Sequence, residues 1–233
     1  MPGAFAVLVL GFCVAMVSSC GISSEHKVLK LAHGLDPTHP VHKAMVYMAE
    51  KVKQDSEGKL EIEIYPSEQL GSEQQCVELL QIGSLAMTKV SAAILEGFTD
   101  NYKVLGLPYI FRSREHSFNV LDGDIGDELL ASTQQYWIKG LCFYDAGGRS
   151  FYTLEQPVDE PKDLNGLKIR VMKSQTAMQL VSAMGGSPTP VSWGELYTAL
   201  QSGVVDGAEN NPPSFFTSRH YEIMEEIFYE KCG

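Results

Sequence analysis

Two arginines are the residues of this sequence whose type and position most clearly indicate chemistry. Arg170 lies in an apolar segment predicted to be a strand, 167–172, where a guanidinium needs an anion to offset its desolvation. Arg149 follows two glycines after another predicted strand, at a sheet edge of the kind where α/β proteins bind ligands. A guanidinium matches a carboxylate in two parallel hydrogen bonds. The pair therefore indicates either a carboxylate site or structural ion pairs, with Asp145 or Asp163 as partners.

Other chemistries have weaker support in the sequence. It contains no GxSxG, HExxH, GxxxxGK[ST] or strand-linked GxGxxG motif, so four common enzyme types lack their signature. His33, His39 and His42 do not have the spacing of a compact zinc site, and Pro40 interrupts them. We therefore expect no metal and no cofactor, and interpret these histidines as surface or loop residues.

The elements that position the arginines alternate between strand and helix. Short strands are predicted at 29–32, 59–65 and 86–90, with helices starting at Pro40 and after Ser72 between them. Strict alternation of apolar and charged residues marks 59–65 as a half-buried strand. This order predicts βαβ units and an α/β fold with a mainly parallel sheet.

The second half of the chain follows the same pattern. A polar helical region over 113–137, interrupted at Asp122-Gly123 and at Gly126, precedes a strand at 140–144 and a glycine pair, Gly147-Gly148, typical of a turn or hinge. After the strand at 167–172, helices are predicted from Ser174 to Gly185, from Ser192 to Gly203 and from Pro212 onward, with a short strand before the last. We place lobe I at 27–148 and lobe II at 149–233.

Charge limits the partners of the protein. Of 233 residues, 44% are apolar and 20% charged, and 18 Lys and Arg against 29 Asp and Glu give a net charge of −11. This acidity disfavours nucleic acid or an anionic membrane surface as a main partner. An anionic ligand must therefore be held by a few local cations.

The N-terminus predicts export. Residues 4–17 form an uncharged, nearly continuous apolar run of the length of a signal-peptide core. The following Val17-Ser18-Ser19-Cys20-Gly21 resembles the lipobox of bacterial lipoproteins, with Cys20 as lipid anchor; the alternative is an ordinary signal cleaved near Ser18 or Ser19. We expect a periplasmic or other extracytoplasmic location. The remaining cysteines, Cys76, Cys142 and Cys232, are predicted to be buried apolar residues.

Longer motifs resemble a known family. The segments at 166–171 (GLKIRV) and 188–211 (PTPVSWGELYTALQSGVVDGAENN) are similar to the core signature of the DctP-type solute-binding proteins of TRAP transporters. The segments at 65–71 (YPSEQLG) and 107–109 (LPY) match that family in order and spacing. The resemblance covers the chain from about residue 28 to 223.

That resemblance implies a two-lobed, periplasmic-binding-protein-like fold that closes on an organic acid in the cleft between its lobes and delivers it to a TRAP-type, ion-gradient-driven membrane permease. It implies Arg170 as the carboxylate clamp. The other candidate ligand-binding residues are Arg149, Asn210, Trp193, Glu73, Ser91, Asn211 and His33. For Trp193, packing in the core at a helix start is the alternative.

Three further segments resemble one subgroup of the family and indicate its ligand class. The segments at 147–152, 185–190 and 209–211 look most like members that bind hexuronates or related sugar acids, whose hydroxyls would suit Glu73, Asn210 and Asn211. A C4-dicarboxylate or another small monocarboxylate is the alternative. Two other functions stay open: a secreted enzyme acting on sugar acids, and a protein that presents its ligand to a sensor.

The end of the chain departs from the family. Members continue beyond the region of Arg219, whereas this sequence stops at Gly233, so lobe II is expected to be truncated. Missing strands would leave sheet edges unpaired and lower the stability of the fold.

Overall fold

Two separate β-sheets organise the chain in the computed structural model, which describes residues 26–224 and the strand at 228–229. The first sheet has three parallel strands in the order β2-β1-β3. Its elements are β1 (Lys27–Ala32), α1 (Pro40–Asp55), β2 (Leu60–Tyr65), α2 (Glu73–Gln81) and β3 (Met87–Thr88). The predicted βαβ units are confirmed, although the third strand is shorter than predicted.

Local signals explain where these elements begin. His39 caps α1, its Nδ1 accepting the Val41 N–H at 3.1 Å, and Pro40 occupies the first helical turn, where a missing N–H costs nothing. Ser72 and Gln75 form the predicted capping box of α2. In β2 the alternation places Ile62 in the core, where it packs with Leu31 and Met45.

A helical region follows the first sheet. It contains α3 (Ala92–Leu95), a 3-10 helix (Asp100–Gly106), α4 (Arg114–Leu121), α5 (Asp124–Ser132) and a 3-10 turn (Gln134–Tyr136). The break at Asp122-Gly123 is confirmed, but Gly126 lies inside α5 and does not interrupt it. The predicted strand at 140–144 is wrong, because this segment pairs with neither sheet; Gly140 packs directly against Leu130 of α5 instead.

The second sheet has five strands in the order β6-β5-β7-β4-β8. Its elements are β4 (Ser150–Thr153), a 3-10 helix (Pro161–Leu164), β5 (Lys168–Val171), α6 (Gln175–Ala183), β6 (Ser187–Pro190), a 3-10 turn (Trp193–Glu195), α7 (Leu196–Gln201), β7 (Gly207–Asn210), α8 (Pro212–Thr217), a 3-10 helix (His220–Ile223) and β8 (Phe228–Tyr229). Strand β5 pairs in parallel with β6 and β7, whereas β4 is antiparallel to β7 and β8. Within the described residues, four of six pairings are therefore parallel.

Strand β6 was not predicted, because it contains Pro188 and Pro190. Among the described strands it pairs with β5 alone, and the outer side of an edge strand tolerates the missing N–H groups of proline.

We refer to the part of the chain from β1 to Tyr136 as lobe I and to the part from β4 onward as lobe II. Each has its own core: Leu31, Val41 and Met45 in lobe I, and Leu164, Ile169 and Val171 beneath the second sheet. A boundary between residues 148 and 149 stays a prediction. Among the described residues, no helix has the length and apolar character needed to cross a membrane. The signal run, Cys20 and Cys232 lie outside the described residues, and Cys142 is exposed, contrary to prediction.

Candidate functional site

Arg170 lies near the carboxyl end of β5, where its neighbours in register are Thr189 of β6 and Ala208 of β7. The residue is 2% exposed. Its Nε donates to the carbonyl oxygen of Val191 at 2.9 Å, and the guanidinium carbon lies 5.6 Å from the ring centroid of Trp193. Burial lowers the pKa of Arg170 from its ordinary value, and the nearby charge of Glu209 acts in the opposite direction. An arginine with so high an intrinsic pKa nevertheless stays charged.

No carboxylate of residues 26–224 lies within 4.0 Å of the Arg170 guanidinium. Both acidic partners that the sequence left open are engaged elsewhere. Asp145 accepts from Arg114 Nε at 2.7 Å, and Asp163 accepts the backbone N–H groups of Asp159 and Glu160. Arg170 is thus a buried cation that lacks a protein counter-charge at contact distance in the described chain.

Arg149 has a different environment. It directly precedes β4, and no strand at 140–144 comes before it, contrary to the prediction. Because β4 pairs with β7, the Arg149 side chain lies beside β7. Its guanidinium forms an ion pair with Glu209 through Nε and Oε2, and Nη2 donates to Glu209 Oε1 at 2.9 Å. Burial lowers the pKa of Arg149, but the charge and hydrogen bonds of Glu209 outweigh this and the net shift is upward. Arg149 is therefore neutralised within lobe II.

The two asparagines join this network. Asn210 Oδ1 accepts from Arg149 Nη1 at 3.1 Å and from the backbone N–H of Asn211 at 2.9 Å. Asn211 Oδ1 accepts the Ser214 N–H at 2.9 Å and so caps α8. Both asparagines therefore lie beside Arg149, and the side-chain oxygen of Asn211 is occupied in capping α8.

Lobe I contributes Glu73 and Ser91. Glu73 Oε1 accepts from the Ser91 hydroxyl at 3.1 Å, from the Ser91 N–H at 3.2 Å and from Lys89 Nζ at 3.1 Å. Burial raises the pKa of Glu73, but Lys89 and the hydrogen bonds from Ser91 lower it more, so the net shift is downward. Glu73 and Lys89 thus form a second internally neutralised pair.

His33 is buried at the end of β1, and so is His39, contrary to their interpretation as surface residues. His33 Nδ1 accepts the Leu35 N–H at 3.0 Å, and its Nε2 lies 3.0 Å from Nδ1 of His42. Burial, with a smaller effect of His42, lowers the pKa of His33 to about 4. Both ring nitrogens are engaged within lobe I. In the part of the chain that the structure describes, no group of three His, Cys, Asp or Glu side chains could hold a metal ion.

Trp193 lies between the core of lobe II and Arg170. Its ring packs partly against the core of lobe II and lies 5.3 Å from the ring centroid of His220. It also covers the Arg170 guanidinium and lies near Gly34 of lobe I, where an added Cβ would be 3.5 Å from Trp193 Cδ1. Trp193 therefore contacts lobe II, lies over Arg170 and approaches lobe I.

Sequence reasoning missed four acidic or basic residues of this region: Glu68, Lys89, Glu96 and Glu209. Glu68 and Glu209 lie inside the motifs that carry the family resemblance, so a signal for them was present. Nothing local distinguishes Lys89 or Glu96, whose partners come from other elements.

Comparisons with known proteins identify the family of the chain. Residues 31–231 match the DctP family, described as bacterial extracellular solute-binding protein, family 7. The C4-dicarboxylate-binding periplasmic protein DctP of Rhodobacter capsulatus is 32% identical over 227 residues, which are 97% of this chain and 68% of that protein.

Solved structures give the same result. A TRAP periplasmic solute-binding protein of Anaerococcus prevotii with bound D-glucuronate is 38% identical, with a TM-score of 0.83 over 88% of this chain and 68% of that one. A corresponding protein of a Bradyrhizobium species, in complex with D-galacturonate, is 39% identical, with a TM-score of 0.82 over 86% and 67%. The chain spans about two thirds or less of the length of the first curated relatives it matches. By its sequence and its two-lobed fold, this chain belongs to the DctP family of bacterial extracellular solute-binding proteins.

Proposed function

We propose that this protein captures an organic acid, a hexuronate or related sugar acid, in the cleft between its lobes and delivers it to a TRAP-type membrane permease. The observation that carries the proposal is Arg170, a buried guanidinium without a contacting protein carboxylate in the described chain. A ligand carboxylate supplies that missing charge. Members of the family are substrate-binding transport proteins and not enzymes, which supports the prediction against a catalytic role.

The charges of the cleft favour a ligand with one carboxylate. Arg149 is paired with Glu209, and Lys89 with Glu73, so Arg170 is the cation left for the ligand among these three. A second carboxylate would meet groups that are already neutralised. The hydroxyls of a sugar acid can instead bond to carboxylate and amide oxygens such as those of Glu73 and Asn210.

The relatives support this ligand class with one competing candidate. Five of the similar structures hold glucuronate or galacturonate, and two others hold galactonate and erythronate. A Sulfurospirillum deleyianum protein, 30% identical, holds succinate, and the Rhodobacter protein binds C4-dicarboxylates by its name. A C4-dicarboxylate is therefore the second candidate.

Similar solved proteins are described as periplasmic, and we place this chain in the same compartment. The permease would be its membrane partner. Anchoring through an acylated Cys20 is a separate proposal that rests on the lipobox-like sequence alone.

Calorimetry on the purified protein tests the proposed ligand class. We expect galacturonate or glucuronate to bind more tightly than succinate, and galactose or glucose to bind poorly because a neutral sugar leaves the buried guanidinium unpaired. Losing one partner of a buried charge pair costs about 2–5 kcal/mol, so Arg170→Ala should weaken uronate binding roughly thirtyfold to several thousandfold. Arg170→Lys keeps the charge but not the planar fork and should recover part of this loss. Wild-type affinity in a folded Arg170→Ala variant, or equal affinity for galactose and galacturonate, would refute the clamp.

A further inference from the structure

Two carboxylates of lobe I reach across to lobe II. Glu68, in the loop after β2, accepts the Gly194 N–H at Oε2 over 3.0 Å. Glu96, which follows α3 and is 7% exposed, accepts at Oε2 from the Ser174 hydroxyl at 2.9 Å and from the Thr176 N–H at 3.2 Å. Both sets of donors belong to starts of helical turns, where backbone N–H groups lack partners in their own helix. The contacts therefore satisfy groups that lobe II cannot satisfy locally.

The two contacts follow the strand that carries Arg170 and the strand next to it. Arg170 lies in β5, and Ser174 follows the end of that strand by three residues. Gly194 follows β6, which pairs with β5 and places Thr189 opposite Arg170. The two carboxylates thus hold the ends of the two adjacent strands that carry and flank the clamp arginine.

Each contact is only half satisfied. Within residues 26–224, the buried side-chain oxygen and nitrogen atoms without a hydrogen-bond partner are Glu68 Oε1 and Glu96 Oε1, the second oxygens of these same two carboxylates. A buried carboxylate oxygen without a donor costs free energy, whereas water would hydrate it in an open cleft. The closed arrangement therefore gains hydrogen bonds between the lobes and loses part of that gain to desolvation.

A half-satisfied contact suits a protein that must open again. Fully satisfied lobe contacts would raise the closed population of the empty protein, and a ligand can shift an equilibrium only by its differential affinity for the two states. Because the desolvation cost of the unpaired oxygens offsets part of the gain from the hydrogen bonds between the lobes, neither state is strongly favoured without ligand. Binding of the ligand carboxylate to Arg170 can then decide whether the open or the closed state is populated.

We propose that Glu68 and Glu96 are positioning residues that hold lobe II against lobe I in the closed state and thereby set how long a ligand is retained. This inference rests on the proposed function, since retention requires a ligand in the cleft. The contacts exist only when the lobes are together, so they slow ligand release without affecting the encounter with the open protein.

Stopped-flow kinetics with galacturonate test the inference on Glu96. Its hydrogen-bond partners, Ser174 and Thr176, are not candidate ligand-binding residues. Glu96→Ala removes the hydrogen bonds to Ser174 and Thr176 together with the unpaired oxygen, and we expect the dissociation rate to rise about tenfold with an association rate within about threefold of wild type. Glu96→Gln keeps one acceptor oxygen and should restore the dissociation rate to within about threefold. Glu128→Ala, an exposed glutamate on α5, is the matched control and should change neither rate.

Two further variants keep the test decisive. Glu96→Asp retains the charge but withdraws the carboxylate by one methylene, so it should also speed dissociation if the contact matters. Glu68→Ala, which removes the contact after β6, should speed dissociation in the same way. The inference would be overturned, and the proposed function left intact, if three folded variants released ligand at the rate of Glu128→Ala. These variants are Glu96→Ala, Glu96→Asp and Glu68→Ala. A wild-type protein that binds none of the acids overturns both, and that result is visible before any variant is made.

Discussion

Glu209 neutralises Arg149 from the neighbouring strand, through an ion pair in which Arg149 Nη2 donates to Glu209 Oε1 at 2.9 Å, while Arg170 close by has no such partner among residues 26–224. Two arginines that look equivalent in the sequence therefore differ in the charge that they offer a ligand. Whether Arg149 offers a ligand an unpaired charge, as Arg170 does, depends on this one glutamate.

Glu209→Gln should change ligand preference. The amide can still accept a hydrogen bond from Arg149, but it leaves two uncompensated guanidinium groups in the cleft. We expect the affinity for succinate relative to galacturonate to rise about tenfold. We also expect a loss of about 2 kcal/mol in the free energy of unfolding. This loss is smaller than for a fully buried ion pair because the Arg149 side chain is 37% exposed. Calorimetry and urea unfolding measure the two effects.

The same substitution at Glu222 provides the control, because its pair with Arg219 lies on the surface. Glu222→Gln should change neither ligand preference nor stability measurably. An unchanged succinate-to-galacturonate ratio in Glu209→Gln would contradict the charge count of the cleft.

Trp193 should report ligand binding by its fluorescence. The protein has two tryptophans. Trp137 is 84% exposed and follows the turn that ends lobe I, whereas Trp193 lies over Arg170. We expect galacturonate to change the emission of wild type and of Trp137→Phe to the same extent. Trp193→Phe should lose the change. A ligand signal that disappears in Trp137→Phe would place the ligand elsewhere.

Stability should fall in mild acid. The pKa values of His33, His39 and His220 are lowered from 6.5 to about 4, mainly by burial. Between pH 6.5 and about 4 the unfolded chain therefore binds more protons than the folded one, so the free energy of unfolding decreases as the pH falls through this window and is constant in this respect above it. Between pH 7.5 and 5.0 each of these histidines should contribute a loss of about 2 kcal/mol.

His39→Asn isolates one of these contributions. Asparagine is a good N-cap and can replace the ring nitrogen that accepts the Val41 N–H, but it does not titrate. Urea unfolding at pH 7.5 and 5.0 gives the free energy of unfolding at each pH. The decrease between the two pH values should be smaller in His39→Asn than in wild type by about 2 kcal/mol. The same pH dependence in the variant and in wild type would show that His39 is not buried as a neutral group.

Cys20 decides between a lipid anchor and an ordinary signal. If Cys20 is acylated in the bacterial host, Cys20→Ala should move the protein from the membrane fraction to the soluble fraction, because a lipid anchor is lost. Ser19→Ala serves as the matched substitution next to it and should leave the protein on the membrane. Equal membrane partition of wild type and Cys20→Ala would refute the lipobox interpretation.

Local patterns in the sequence were sufficient for much of lobe I. The alternation at 59–65 predicts β2, and the Ser72 capping box predicts the start of α2, because both depend on neighbours within a few residues. The same locality explains two errors. The apolar run at 140–144 has strand character but pairs with neither sheet in the described chain. The prolines of β6 conceal a strand from sequence analysis, and the edge position of that strand tolerates them.

The site divides in a similar way. The sequence alone determined that Arg170 lies in a buried strand and that longer motifs around it belong to a solute-binding family, since both are properties of continuous segments. Only the tertiary structure decided which charges are already paired and which groups join the lobes. Arg149 and Glu209 are 60 residues apart, and Glu68 and Gly194 are 126 apart. Such contacts depend on how strands and helices pack, and a local pattern does not encode them because the same residue types would pair differently in another packing.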